Sequence, residues 1–222
     1  HYLELHIEQG RELAEHDAPV GVGSAIWPHG RWRFDFTGEA NHAGTTLMSD
    51  RHDPMLSYAM TALAANKQAR LHDARATFGR IEVLPNGTNA IPSKVTAWLD
   101  ARAADQSTLD AMLADLERQT RDRVARDGTG VTVTPESVSA VVEFDTGLAA
   151  RLAGRLGNGT PAPVLPTGAG HDAGVLSAAG VPTAMLFVRN PTGVSHSPAE
   201  TAGDDDCVSG VHALTEALRE LL

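Results

Sequence analysis

The chain has 222 residues, 42% apolar and 21% charged, the make-up of a globular protein that buries a real core in one or two domains. A formal net charge of −10 without clusters of Lys and Arg excludes a nucleic-acid surface. The single cysteine, Cys207, excludes an intrachain disulfide and fits a reducing, cytoplasmic setting, and no run approaches the roughly 18 apolar residues of a membrane helix.

The first stretch, "HYLELHIEQG", alternates with a period of two, so Leu3, Leu5 and Ile7 share one strand face and Glu4, His6 and Glu8 the other. It starts without a cap, a tail or an initiating Met, and the expectation is an interior strand cut off from the strands before it. Residues 1–26 read strand, helix, strand. "RWRFDFTG" is a strand ending at Gly38, and "DPMLSYAMTALAANKQARLHD" is a helix with Asp53 as cap and Pro54 in its first turn. "ATFGRIEVLPNG" is a strand closed by a turn at Pro85, Asn86 and Gly87, and "SKVTAWLDARA" is another strand. Ser107 and Asp110 are expected to cap a long amphipathic helix that Gly128 ends, and "GVTVTPESV" follows as a strand.

Across about residues 30–138 the order is therefore β-α-β-β-α-β, the ferredoxin-like split pattern of one antiparallel sheet with both helices on one face. Such a sheet has two edges, which invite pairing with a second copy. Residues 143–222 read helix, Gly-rich turn, helix, the strand "VPTAMLFV", a loop, and a helix from about Asp204. The fold class is α/β: a partial catalytic domain with a largely parallel sheet of two or three strands, into which the middle domain is inserted. The expected division is 1–28 and 140–222 for the α/β domain and 29–139 for the insertion.

Several histidines sit in small-residue loops or at strand ends, where α/β sheets gather their active sites: His6, His42 in "GEANHAGTT", His171 in "TGAGHDAG" and His196 in "TGVSHSPAE". A catalytic zinc site takes about three His or carboxylate ligands. Only His6 and His196 stand in convincing positions, and there is no HExxH and no adjacent Glu pair, so the residues alone support half a metal site. Ser195 adjoins His196 but lacks a GxSxG elbow, and Cys207 sits among carboxylates that oppose a thiolate. The glycines of "TGAGHDAG" read equally well as an anion cradle or as an ordinary tight turn.

Four stretches, "ELHIEQG", "GEANHAGTT", "PNGTNAIP…LDAR" and "GAGHDA…FVRNPTGVSHSPAE", resemble in order and spacing the M20-type metal-dependent amidohydrolases. The resemblance is to the hydantoinase/carbamoylase branch: N-carbamoyl-L-amino-acid hydrolases, allantoate amidohydrolases and ureidopropionases. It covers essentially the whole chain, and the ordered set is far more specific than any one motif. It implies a catalytic α/β domain with two divalent ions (Zn, Mn, Co or Ni), an inserted lid through which a homodimer forms, and hydrolysis of a linear amide, carbamoyl or ureido C–N bond. Residue by residue, it implies His6 as a ligand of one ion and His196 of the other. His42 resembles the lid histidine that polarises the scissile carbonyl in the partner subunit's site. Asn89 and Arg102 resemble the residues that grip the substrate carboxylate. Gln9 is a substrate contact, Gly170 belongs to a backbone cradle, and His29 falls where relatives carry a substrate-binding Gln.

Two departures matter. Leu47 follows "HAGTT" where relatives carry Pro, which is expected to loosen that turn. The family's upstream segment, which supplies another His, a bridging Asp and the adjacent Glu pair, is expected to precede this stretch, leaving these residues inactive alone. Two other readings stay open: a non-catalytic dimerisation remnant and an M20 peptidase. Peptidases carry an acidic residue at the position of His6, so His6 favours the amidohydrolase branch.

Overall fold

The computed structural model describes residues 1–157 and 159–221; Asn158 and Leu222, both within the expected 140–222 segment, lie outside the described residues. In chain order the elements are β1 (Tyr2–Ile7), α1 (Glu12–Glu15), β2 (Val20–Ile26), β3 (His29–Thr37) and β4 (Asn41–His42). Next come α2 (Pro54–Leu71), β5 (Arg75–Leu84), β6 (Ala90–Ile91), β7 (Lys94–Arg102), α3 (Gln106–Asp127) and β8 (Gly130–Ser139). The last are β9 (Val142–Glu143), α4 (Thr146–Leu156), β10 (Val164–Thr167), α5 (Asp172–Ala178), β11 (Thr183–Val188) and α6 (Asp204–Leu221). The chain forms two compact units, His1–Trp27 with Val141–Leu222, and Pro28–Ala140.

The first unit is built on a sheet of order β1-β11-β2-β10, with β9 pairing to the end of β2. β1 runs parallel to β11, from Tyr2 opposite Thr183 to Ile7 opposite Val188. β10 runs parallel to β2, but β11 and β2 are antiparallel. The sheet is thus mixed rather than largely parallel, and five-stranded rather than two- or three-stranded. The difference has a simple origin: β9 and β10 are too short to show a period, and strand direction is set by tertiary pairing. Every residue of β11 is buried. Its Ala184 and Leu186 pack with Leu148 and Leu152 of α4 and Ala213 and Ala217 of α6, while Met185 and Phe187 pack with Leu13, Phe144 and Ala173 on the other face. Burial on both faces is why "TAMLFV" is apolar throughout rather than alternating. A Cβ on Gly210 would run into Val188 Cγ2, so the glycine lets α6 seat on the sheet.

The second unit is a sheet of order β5-β7-β3-β8, antiparallel at every pairing, with a separate two-stranded arm of β4 and β6. Trp32, Phe34 and Phe36 of β3 and Val95 and Leu99 of β7 alternate onto one face, where Ala65 and Ala69 of α2 and Leu109, Met112 and Leu116 of α3 cover them. As expected, the Asp53 side chain caps α2, accepting from the Met55 N–H at 2.9 Å. The cap of α3 is a correction: Asp105, not Ser107 or Asp110, accepts the Thr108 N–H at 2.9 Å. Asp105 has the extended backbone of a cap, so Ser107 already lies in the first turn and its hydroxyl donates back to Asp105. Gly128 ends α3 in the left-handed conformation, at φ 66°.

Candidate active site

In the first unit His6 and His171 come together at the carboxyl end of β1, which runs parallel to β11. His6 lies opposite Phe187, and the chain leaving β11 becomes the loop that carries His196. His6 Nδ1 is 2.6 Å from the Ile7 carbonyl oxygen. A carbonyl only accepts, so Nδ1 carries a proton and, in the neutral ring, Nε2 has the lone pair, the arrangement that suits an imidazole for metal binding.

His171, whose role the sequence left open, packs against His6 with ring centroids 4.6 Å apart in an edge-to-face contact. Its side chain is 3% exposed, its Nδ1 lies 3.4 Å from Glu4 Oε1, and its Nε2 is buried without a hydrogen-bond partner. Burial, with His6 beside it, lowers the His171 pKa against the opposing pull of Glu4. The two carboxylates on the His6 face, Glu4 and Glu8, both accept from backbone N–H groups. Glu4 Oε2 accepts from the Ala173 N–H at 2.7 Å, tying β1 to the start of α5. Glu8 accepts from the N–H groups of Glu12 (2.6 Å) and Leu13 (3.1 Å), closing the first turn of α1. Burial raises the Glu8 pKa in spite of those bonds.

The loop after β11 is organised by Asn190, which is fully buried. Its Oδ1 accepts from the N–H groups of Thr192 (3.1 Å) and Gly193 (3.0 Å), and its Nδ2 donates to the Val194 carbonyl at 3.0 Å. Arg189, just before it, is clamped by Asp206 through bonds of 2.9 and 2.8 Å. His196 is exposed and sits at φ 56°, a left-handed backbone uncommon outside glycine, with its N–H donated to Glu200 Oε2 at 3.0 Å. The neighbouring Ser195 hydroxyl is buried without a partner. Gln9 is half-buried and Gly170 exposed. Among the described residues no group of three or more His, Cys, Asp or Glu side chains is disposed to hold a metal ion. Also among them, no helix is long and apolar enough to cross a membrane.

In the second unit, His42 and Asn89 share the β4–β6 arm: His42 pairs with Ala90, and the Ala43 N–H donates to the Asn89 carbonyl at 2.9 Å. The Gly44 N–H donates to His42 Nδ1 at 3.0 Å, which leaves the proton of the neutral ring on Nε2. Arg51 clamps the loop from below, with Nη2 donating to the carbonyls of Ala43 (2.6 Å) and Thr46 (3.1 Å). Leu47 holds φ −58° and ψ 148°, the backbone a Pro would impose, so the turn keeps its form through Arg51 rather than through a ring. His29 and Arg102 pair directly across β3 and β7. Arg102 makes a two-point bond to Asp100, Nε–Oδ1 2.7 Å and Nη2–Oδ2 2.9 Å. Burial alone would raise the Asp100 pKa, but Arg102, Arg31 and His29 outweigh it and hold the carboxyl below its usual range. Arg51, Asn190, Glu200 and the Glu4–His171 pairing were not found by sequence reading. Only Asn190, in "RNPTG", carries a turn signal that could have pointed to it.

Comparison with known proteins supplies the family. The model of Peptidase family M20/M25/M40 matches residues 1–220. The chain belongs to this family. This M20 chain is 37% identical over 227 residues to N-carbamoyl-L-amino acid amidohydrolase of Geobacillus stearothermophilus, a match to 99% of the chain and 54% of that protein. It is 33% identical to allantoate amidohydrolase of Escherichia coli (strain K12), over 99% of the chain and 54% of the relative. Among solved structures, AtUAH in complex with (S)-hydroxyglycine matches 99% of the chain and 53% of its own, at 26% identity and a TM-score of 0.92. An amidase of the hydantoinase/carbamoylase family from Burkholderia vietnamiensis matches 97% and 53%, at 31% identity and a TM-score of 0.91. The M20 chain spans about half the length of the curated relatives it matches.

Proposed function

We propose that this chain is part of a metal-dependent amidohydrolase that cleaves the C–N bond of a linear carbamoyl or ureido substrate bearing a carboxylate. The observation that carries the reading is His6: it stands near the carboxyl end of a parallel strand with Nδ1 held by a carbonyl, which leaves the Nε2 lone pair of the neutral ring for a metal. Neutral imidazoles of this kind fit Zn, Mn, Co or Ni. In this reading His6 and His196 hold one ion each of a pair, the remaining donors coming from sequence beyond these residues. Ions held there supply Lewis acidity and an activated water. Residues 1–28 and 140–222 form the catalytic domain, and 29–139 form a ferredoxin-like lid, a reading supported by the strand order of the second unit.

The lid residues then divide the substrate between them. His42, with its Nδ1 anchored and the proton of the neutral ring on Nε2, donates to the developing oxyanion; Asn89 beside it and Arg102, oriented by its two-point bond to Asp100, bind the carboxylate. Gln9, Gly170 and His29 complete the substrate contacts. A homodimer forms through the lid. Support comes from β5, an edge strand, and from Leu56, Met60 and Leu63, which make an exposed apolar stripe on α2. The setting is cytoplasmic.

The test is hydrolysis by the full-length polypeptide, loaded with Zn, Mn, Co or Ni, of an N-carbamoyl-L-amino acid, allantoate and ureidopropionate. Turnover of at least one, abolished by a chelator and by His6→Ala, is the expected result. Cleavage of dipeptides with none of the three would put the protein with the peptidases instead.

A further inference from the structure

Glu4 does two things at once. One carboxylate oxygen accepts from the Ala173 N–H at 2.7 Å, at the start of α5. The other stands 3.4 Å from His171 Nδ1. Glu4 is two residues from His6 on the same face of β1, and the His171 ring meets the His6 ring at 4.6 Å. His6 Nδ1 thus faces a carbonyl oxygen at 2.6 Å, and His171 Nδ1 faces a carboxylate oxygen at 3.4 Å whose charge favours a proton on that nitrogen. The His171 Nε2 that remains is buried and meets no hydrogen-bonding group. A polar atom left bare in a buried position costs about 1–3 kcal/mol, so such an atom is expected to meet a ligand in the working protein.

We propose that Glu4 is a positioning residue: it fixes His171 in the Nδ1–H tautomer, so that Nε2 offers a bare lone pair beside His6 to a hydrogen-bond donor, a ureido N–H or a water. Glu4 touches no substrate in this account and works entirely through His171 and the α5 turn. It explains why a carboxylate sits on this face of the strand, since the amide of Gln would serve Ala173 equally well but not His171. With its oxygen on the Ala173 N–H, a Gln at this position would turn its NH2 toward His171 Nδ1 and force the proton to Nε2.

The inference rests on reading His6 as part of the site, and its test is read without substrate or metal so that the two stand or fall separately. Long-range 1H–15N spectra of histidine rings in the chain, with His171 assigned by a His171→Asn variant, should show Nδ1 protonated and Nε2 bare. Glu4→Gln should invert this to Nε2–H while the circular dichroism spectrum stays that of the wild type. An Nε2–H tautomer in the wild type, or an unchanged tautomer in a folded Glu4→Gln, would overturn the proposal. If Glu4→Gln does not fold, the wild-type tautomer alone decides. In the full-length polypeptide, Glu4→Gln should lower turnover roughly 10–100-fold, and much less when His171 is already Asn. Full additivity of the two losses would contradict action through His171.

Discussion

The charged residues on the open sheet face of the second unit and those at the strand ends of the first are used differently. In the second unit they lie on the open sheet face and satisfy each other across strands: Asp35 binds Arg33, Lys94 and Thr96, and Glu136 binds Arg33 and the Trp98 ring N–H. Arg80 lies over the Trp98 ring, 4.2 Å from its centroid. In the first unit three carboxylates hold strand ends and loops: Glu8 closes α1 and Glu4 holds α5, both through backbone N–H groups, Glu4 also faces His171, and Asp206 pairs with Arg189 at the start of the His196 loop. Cross-strand ion pairs that face water contribute little, so the second unit depends on its apolar face for stability. The carboxylates of the first unit instead fix the geometry of turns and loops.

This contrast can be broken most forcefully through the second unit's core. Phe34 is fully buried between its sheet and helices, and Phe34→Ala should destabilise that unit by about 3–5 kcal/mol. Hydrogen exchange would then show lost protection in β3 and β7 with β1 and β11 still protected. Equal loss in both sets of strands would show that the units do not hold their stability separately.

A smaller effect sharpens the comparison from the charged side. Burial alone would raise the Asp35 pKa, but bonds from Lys94, Thr96 and Arg33 outweigh it and hold the carboxyl at about 2, against 3.8 in the unfolded chain. Because the folded value is the lower one, the stabilisation is present above about pH 4 and is lost as pH falls from there toward 2. Thermal melts across that window should show a shallower acid slope for Asp35→Asn than for the wild type. Parallel slopes would mean that the network adds nothing.

Much of this was legible in the sequence, for identifiable reasons. The alternation of β1 and β3, the Asp53 cap followed by Pro54, and the left-handed Gly128 are local signals, and the structure places each as read. What escaped was set by distance or brevity. β4, β6 and β9 have two residues each, too few to carry any period. Asp105 outcompeted Ser107 as a cap because its extended backbone fits the position, which composition does not reveal. The partner of Glu4 lies 169 residues away, so the strand shows that a carboxylate is present but not what it holds. Arg51 escaped for the related reason that its targets are carbonyls, which every residue possesses.

In the proposed function, His6 of one subunit and His42 of its partner serve one hydrolytic reaction. Subunit complementation with the full-length polypeptide tests it most directly. His6→Ala and His42→Ala should each be inactive as a homodimer, the second by on the order of 100–1,000-fold. Dissociating and reassembling the two together should restore turnover, because a mixed dimer regains one site with an intact His6 and an intact His42. Mixed dimers that form and stay inactive would contradict the account.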